Sequence, residues 1–173
     1  MVEDCTILLQ EQKLLKGYLK MAIDKVRKYL KKFNKDEDIL EFSVSSATVK
    51  DAAIAIGCDE ANIAKTMSFI VSEQPILIVV AGDKKVDNSK FKQTFNCKAK
   101  MIPSENLGEL IGHEAGGVCP VGINSGVKVY LDESLKRFEF VYPACGSSNS
   151  AIKLTIPELE QYANYVSWVN VSK

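Results

Sequence analysis

The sequence predicts an α+β fold with a mixed sheet. Short β-rich runs, two of which read as a hairpin, alternate with short helical stretches, and no internal repeat, linker or low-complexity segment interrupts them. The 46% apolar and 25% charged fractions are those of a globular chain. A domain of this size buries roughly 70% of its extended surface. Residues 1–173 are therefore expected to form a single domain, with no need of metal or disulfide staples.

Residues 4–33 read as a helix. Leu8, Leu15, Leu19, Ala22, Val26, Leu30 and Phe33 recur at helical spacing with Lys and Glu between them, and Gly17 is a candidate break. The charged turn at 34–38 ends that helix, and 39–44 reads as a short strand. Thr48 followed by Asp51 is a capping-box-like start for a helix whose apolar face, Val49, Ala52, Ala53 and Ile56, runs to Gly57. A short helix or turn follows at 58–64. The runs 66–71 and 76–81, joined by Ser72-Glu73-Gln74-Pro75, predict the hairpin. Asp87 caps a helix through Phe95, 98–101 resembles a strand, and Pro103 starts a short helix that stops at Gly112. Residues 112–126 hold five glycines and are loop. Strands return at 127–131, 139–142 and 151–155; Pro157 opens a helix to Ala163, and 165–169 closes the fold.

Composition removes several function classes. Twenty-two basic and twenty-two acidic residues cancel, so no bulk field draws the chain onto DNA or another polyanion, and any nucleic acid must meet a local patch. Two basic clusters qualify: Lys25, Arg27, Lys28, Lys31 and Lys32, and then Lys84, Lys85, Lys90 and Lys92, although acids interleave as on a solvated face. No run approaches the ~18 apolar residues of a membrane span. The N-terminus opens on two acids rather than a basic secretory leader, so a cytoplasmic address is expected. Cys5, Cys58, Cys97, Cys119 and Cys145 are widely spaced and never form C-x-x-C, which favours free thiols over a zinc site. A lone histidine, His113, excludes His-rich metal centres and makes any Ser-His-Asp mechanism hang on one residue.

Pattern alone contains no P-loop, no dinucleotide fingerprint, no G-x-S-x-G and no H-E-x-x-H. The segment Gly116-Gly117-Val118-Cys119-Pro120-Val121-Gly122 stands out. Glycines let a backbone approach a ligand closely, so that N–H groups can point at an anion or a developing oxyanion, and proline holds such a loop in shape. The competing reading is a surface turn. The other polar residues also have structural readings. Lys65 alone is a solvated strand-edge lysine and Asp132 a cap of the turn into 133–134. His113 is a cation beside a helix C-terminus, and Cys119 a small apolar filler.

The run Ile63-Ala64-Lys65-Thr66, then Ile78-Val79-Val80-Ala81-Gly82-Asp83, then the 116–122 loop, then Val129-Tyr130-Leu131-Asp132-Glu133-Ser134-Leu135 follows a recognisable order. Over residues 22–170 it resembles the YbaK/prolyl-tRNA-synthetase-associated domain family, editing domains that hydrolyse mischarged aminoacyl-tRNA. The resemblance implies a partly barrel-like mixed sheet surrounded by short helices, with residues 1–20 as a helical extension that the short members lack. It implies an aminoacyl-tRNA deacylase acting in trans, with neither metal nor organic cofactor. Its partners would be mischarged aminoacyl-tRNA and an aminoacyl-tRNA synthetase, with no membrane or DNA. Matched residue by residue, the family's lysine is Lys65 and its G-x-x-x-P loop runs from Gly116 to Pro120, so Lys65 and Gly117 are the expected catalytic positions. Gly116, Val118, Cys119, Pro120, Asp132 and Gly146 are the expected substrate contacts.

The chain departs from the pattern at Ala144 and Cys145, where many members carry a small polar residue and a glycine, and at Ser147-Ser148-Asn149, where many are basic. No amino-acid specificity is therefore carried over. A non-catalytic module that binds a tRNA end or a synthetase, and a hydrolase of small acyl esters, are the alternative readings.

Overall fold

The computed structural model describes residues 3–173, apart from the side chains at 3–7, 9, 15, 16, 18 and 19. Cys5 and the Leu15 and Leu19 positions of the expected apolar stripe lie outside that description. Helix α1 (Glu3–Leu30) runs unbroken through Gly17. Its packed face begins at Ala22 and continues through Ile23, Val26 and Leu30, whereas Leu8, Leu14 and Met21 are exposed. A single 3-10 turn then carries the chain to Asn34, whose left-handed φ of 56° ends the helical run.

Strand β1 (Leu40–Glu41) is shorter than expected from sequence. Helix α2 (Val49–Ile56) has the ends its sequence specifies: the Thr48 side chain accepts from the Asp51 N–H, and Gly57 closes it at φ 78°. Strands β2 (Ile63–Val71) and β3 (Gln74–Ala81) form the hairpin, joined by Ser72 and Glu73, both at positive φ. Helix α3 (Asn88–Phe95) is capped by Asp87 and α4 (Leu107–Leu110) is one turn. Four strands follow the glycine-rich segment: β4 (Lys128–Asp132), β5 (Phe140–Pro143), β6 (Ser150–Ala151) and β7 (Leu154–Thr155). Helix α5 (Ile156–Ala163), with a Thr155/Glu158 capping box, precedes β8 (Ser167–Val169). The single strand expected at 151–155 is two pieces, and the one expected at 98–101 is reduced to a bridge between Phe69 and Met101.

The large sheet has the order β7-β5-β2-β3-β4-β8, with β2/β3 and β5/β7 antiparallel and β2/β5, β3/β4 and β4/β8 parallel. It curls as a half-barrel among the helices, and β1 pairs with β6 apart from it. Both faces are covered, which is why β3 reads as an uninterrupted apolar run. Ile76, Ile78 and Val80 pack with Phe69, Phe91, Val169 and Val171 on one face. Leu77, Val79 and Ala81 pack on the other with Val26 and Leu30 of α1, Leu107 and Ile111, and Cys119 and Val121 of the glycine-rich segment. That second, larger core anchors the segment beneath the sheet.

Candidate active site

The outer edge of β2 is paired in two places and open between them. β5 covers it at Ile63 and Ala64 and its pairing with β2 ends there, while the opposite edge of β5 carries its β7 register on to a bridge between Ala144 and Ala151. The 100–102 segment covers it again: Ile70 N–H donates to Lys100 C=O (2.9 Å) and Ile102 N–H to Ser68 C=O (3.1 Å). A hollow of about 460 Å³ opens at this gap. Its walls are Ser46–Val49 at the start of α2, residues 63–68, the stretch from Met101 to Leu107, Gly116 and Val118 of the glycine-rich loop, and Tyr142, Ala144 and Ser150. Ser46 is held there by its N–H donating to Ser148 C=O at 2.6 Å.

Lys65 meets the hollow from the sheet edge. It stands opposite Val80, and cross-strand partners share a face, so its stem leaves β2 on the Phe69/Phe91 side while the 116–120 loop lies under the other face. Its Nζ donates to Lys84 C=O at 2.6 Å. Burial first, and then the charge of Lys85, lower its pKa, while Asp83 pulls the other way. Asp83 is itself clamped by the two guanidinium nitrogens of Arg137 at 3.0 and 2.6 Å. The ammonium thus sits on the Lys84 backbone carbonyl and within reach of the Lys85 charge.

The loop is fixed from below. Gly117 N–H donates to Glu114 C=O, and Gly146 N–H donates to Gly117 C=O, both at 3.0 Å. The two glycines are so close that a Cβ on Gly117 would lie 2.6 Å from the Gly146 carbonyl. Cys119 is buried; its N–H donates to His113 Nδ1 (3.3 Å) and its Sγ to Val121 C=O (3.3 Å). Burial pushes the Cys119 thiol up to about 12, so it is no thiolate nucleophile. Burial, then the Lys25 charge, push His113 down to about 4, and its imidazole is neutral. With those bonds made, the Gly116 and Val118 N–H groups have no intramolecular acceptor among the described residues, and both belong to the lining of the hollow.

Of the residues singled out in sequence, the fold brings Lys65, Gly116 and Val118 to the hollow and leaves Gly117, Cys119, Pro120, Asp132 and Gly146 outside its lining. Gly117, Cys119, Pro120 and Gly146 are buried behind it as the loop's support. Asp132 lies at the far end of β4. Its carboxylate accepts from Ser134 N–H (3.0 Å), Val171 N–H (2.9 Å) and Ser172 Oγ (2.6 Å), tying the C-terminal segment to the sheet. Burial raises its pKa, but those bonds outweigh it and hold the carboxyl below its usual value. Sequence reasoning missed Ser46, Thr48, Thr66, Ser68, Leu107, Tyr142 and Ser150, which wall the hollow. No local pattern marks them, because they converge from separate elements.

A family model for the aminoacyl-tRNA editing domain matches residues 44–162, the stretch that contains every wall of this hollow. The chain belongs to the aminoacyl-tRNA editing domain family. This editing domain is 49% identical over 154 residues to the uncharacterised protein YwhH of Bacillus subtilis, a match covering 88% of the chain and 98% of that protein. It is 27% identical over 107 residues to a proline–tRNA ligase of Lactobacillus acidophilus, covering 61% of the chain but 19% of the ligase. Among solved structures it superimposes with a TM-score of 0.79, at 26% identity and over 88% of the chain and 97% of the other, on a candidate trans-editing enzyme for prolyl-tRNA synthetase. Among the described residues no helix is long and apolar enough to cross a membrane.

Proposed function

We propose that the protein is a trans-editing deacylase that hydrolyses the ester of mischarged aminoacyl-tRNA in the hollow at the β2 edge. The observation that carries this reading is the joint lining of one cavity by Lys65 and by Gly116 and Val118 in a chain of the editing family. Likeness to the candidate trans-editing enzyme supports action in trans on tRNA charged by a synthetase.

The chemistry suits the lining. Among its side chains only Lys65 and Tyr142 titrate; it has hydroxyls but no histidine, carboxylate or thiol to act as general base or nucleophile. An aminoacyl ester is already activated, so positioning and charge stabilisation suffice for water to attack it. The water oxygen adds to the acyl carbon, the bond to the ribose oxygen breaks, and the two water protons end on the released amino acid and the ribose hydroxyl. The Gly116 and Val118 N–H groups receive the carbonyl oxygen as it gains charge. Lys65 and the neighbouring Lys84 and Lys85 hold the phosphates of the tRNA end at the rim. Gly117, Cys119, Pro120 and Gly146 keep the loop in place from behind.

A deacylation screen over mischarged tRNAs, run with wild type and Lys65→Ala, tests the reading. Hydrolysis of at least one mischarged tRNA, slowed roughly a hundredfold by the substitution, is expected. Unchanged deacylation of every tRNA tested would remove Lys65 from the mechanism. Tight binding of charged tRNA with no turnover by either form would favour the non-catalytic module instead.

A further inference from the structure

The gap in the β2 edge has a polarity of its own. Along a strand, the backbone N–H and C=O of successive residues point alternately to the two edges. Ser68 C=O and Ile70 N–H both face the 100–102 segment, so the even-numbered residues of β2 turn their backbone groups away from β3. Thr66 is the even-numbered residue at the gap. β5 has ended its pairing at Ala64, the next bond on this edge is to Ser68 C=O, and neither Thr66 N–H nor Thr66 C=O has a main-chain partner among the described residues. Its Oγ1 is buried and likewise unpartnered. An unmet backbone pair on a cavity wall is costly to leave dry, and here it marks a place for a ligand with one donor and one acceptor.

We propose that Thr66 is a positioning and specificity residue that binds the aminoacyl group as if that group were one residue of a missing neighbouring strand. In a hydrogen-bonded antiparallel pair, two residues exchange both N–H···O bonds. An α-aminoacyl ester contains the same N–Cα–C=O unit. Its α-ammonium donates to Thr66 C=O and its ester carbonyl accepts from Thr66 N–H, leaving the second carbonyl lone pair for the loop N–H groups. Partners in such a pair put their side chains on the same face. An L-aminoacyl side chain then enters the hollow on the Thr66 and Val79 side, toward Leu107 and Val118, whereas a D-side chain is driven toward the opposite face with Lys65 and Met67.

This inference rests on the editing function proposed above, and its test separates the two. The probes are 3′-amino-3′-deoxyadenosine acylated with L-alanine, with D-alanine, or with propionic acid, whose amide links resist hydrolysis. Wild type is expected to bind the L-alanyl probe roughly ten- to a hundredfold more tightly than the propionyl probe, the range of a hydrogen bond to a charged group, and more tightly than the D-alanyl probe. Thr66→Pro deletes the N–H but keeps the C=O, and proline is tolerated on an unpaired strand edge. It should weaken the L-alanyl and propionyl probes by a similar factor and preserve their ratio. Equal wild-type affinity for the L-alanyl and propionyl probes would overturn the clamp even if mischarged tRNA is hydrolysed. Should Thr66→Pro not fold, the wild-type comparison alone decides. Failure of every probe to bind, together with no deacylation of any mischarged tRNA, would overturn the editing function itself.

Discussion

Asp132 and His113 are the two buried titratable side chains whose surroundings shift them most informatively, and each makes a claim about stability. Asp132 accepts three hydrogen bonds, and replacing it with asparagine turns one acceptor oxygen into a donor amide facing N–H and O–H donors. The Asp132→Asn variant should lose about 1–3 kcal/mol at neutral pH, measured by denaturant unfolding. Because the folded-state pKa of Asp132 is depressed, its contribution is present above the unfolded carboxyl pKa and is lost as pH falls through the lower folded value. The gap between wild type and variant should therefore narrow in acid. His113 behaves in the same direction for a different reason, burial in neutral form. Its folded pKa of about 4 lies below the usual 6.5, so stability present above 6.5 is lost as pH falls toward 4, by up to about 3 kcal/mol. His113→Gln should flatten that part of the stability–pH curve.

At the scale of elements, a helix cap beside the hollow and the β2/β3 turn beyond it set local stability. The Thr48 cap starts α2 beside the cavity, and Thr48→Ala should cost about 1 kcal/mol in thermal or denaturant unfolding. The β2/β3 turn is less well matched to its sequence. Ser72 and Glu73 both sit at left-handed φ, 48° and 63°, where Asn and Gly are at ease and Glu is not. Replacing Ser72-Glu73 with Asn-Gly should stabilise the fold by about 0.5–1 kcal/mol and raise the melting temperature. The same hairpin register, Lys65 opposite Val80 and Thr66 opposite Val79, sends the lysine stem to one face and leaves the next residue's backbone groups at the open edge.

For the whole molecule, zero formal net charge means that the proposed binding of tRNA would depend on a local patch rather than on the overall field. The basic groups of the α1 end are partly occupied: Lys25 donates to Asn124 Oδ1 at 2.8 Å and Arg27 pairs with Glu41 at 2.6 Å. The backbone carbonyl of Lys84 and the charge of Lys85 lie beside Lys65 instead. The double variant Lys84→Ala/Lys85→Ala should reduce the slope of log binding constant against log salt by about 1.5, since each phosphate that a lysine neutralises adds roughly 0.7–0.9 to that slope. An unchanged slope would put the RNA on another face.

Local chemistry determined much of this protein from sequence alone. Capping residues placed α2 and α3, Pro157 placed α5, two β-rich runs and the turn between them marked the β2/β3 hairpin, and the motif order around Lys65 and the 116–122 loop pointed to the editing family. Tertiary structure alone decided the site's walls. Two-residue strands such as β1, β6 and β7 are too short to show a period, so their pairing and the cavity it shapes leave no local trace. Side-chain alternation reveals which face of β2 a residue occupies, but only the course of β5 and of 100–102 determines which stretch of its edge goes unpaired. Asp132 and Cys119 illustrate the same limit: a motif names the residue, and the partners that converge on it decide whether it meets substrate or supports the fold.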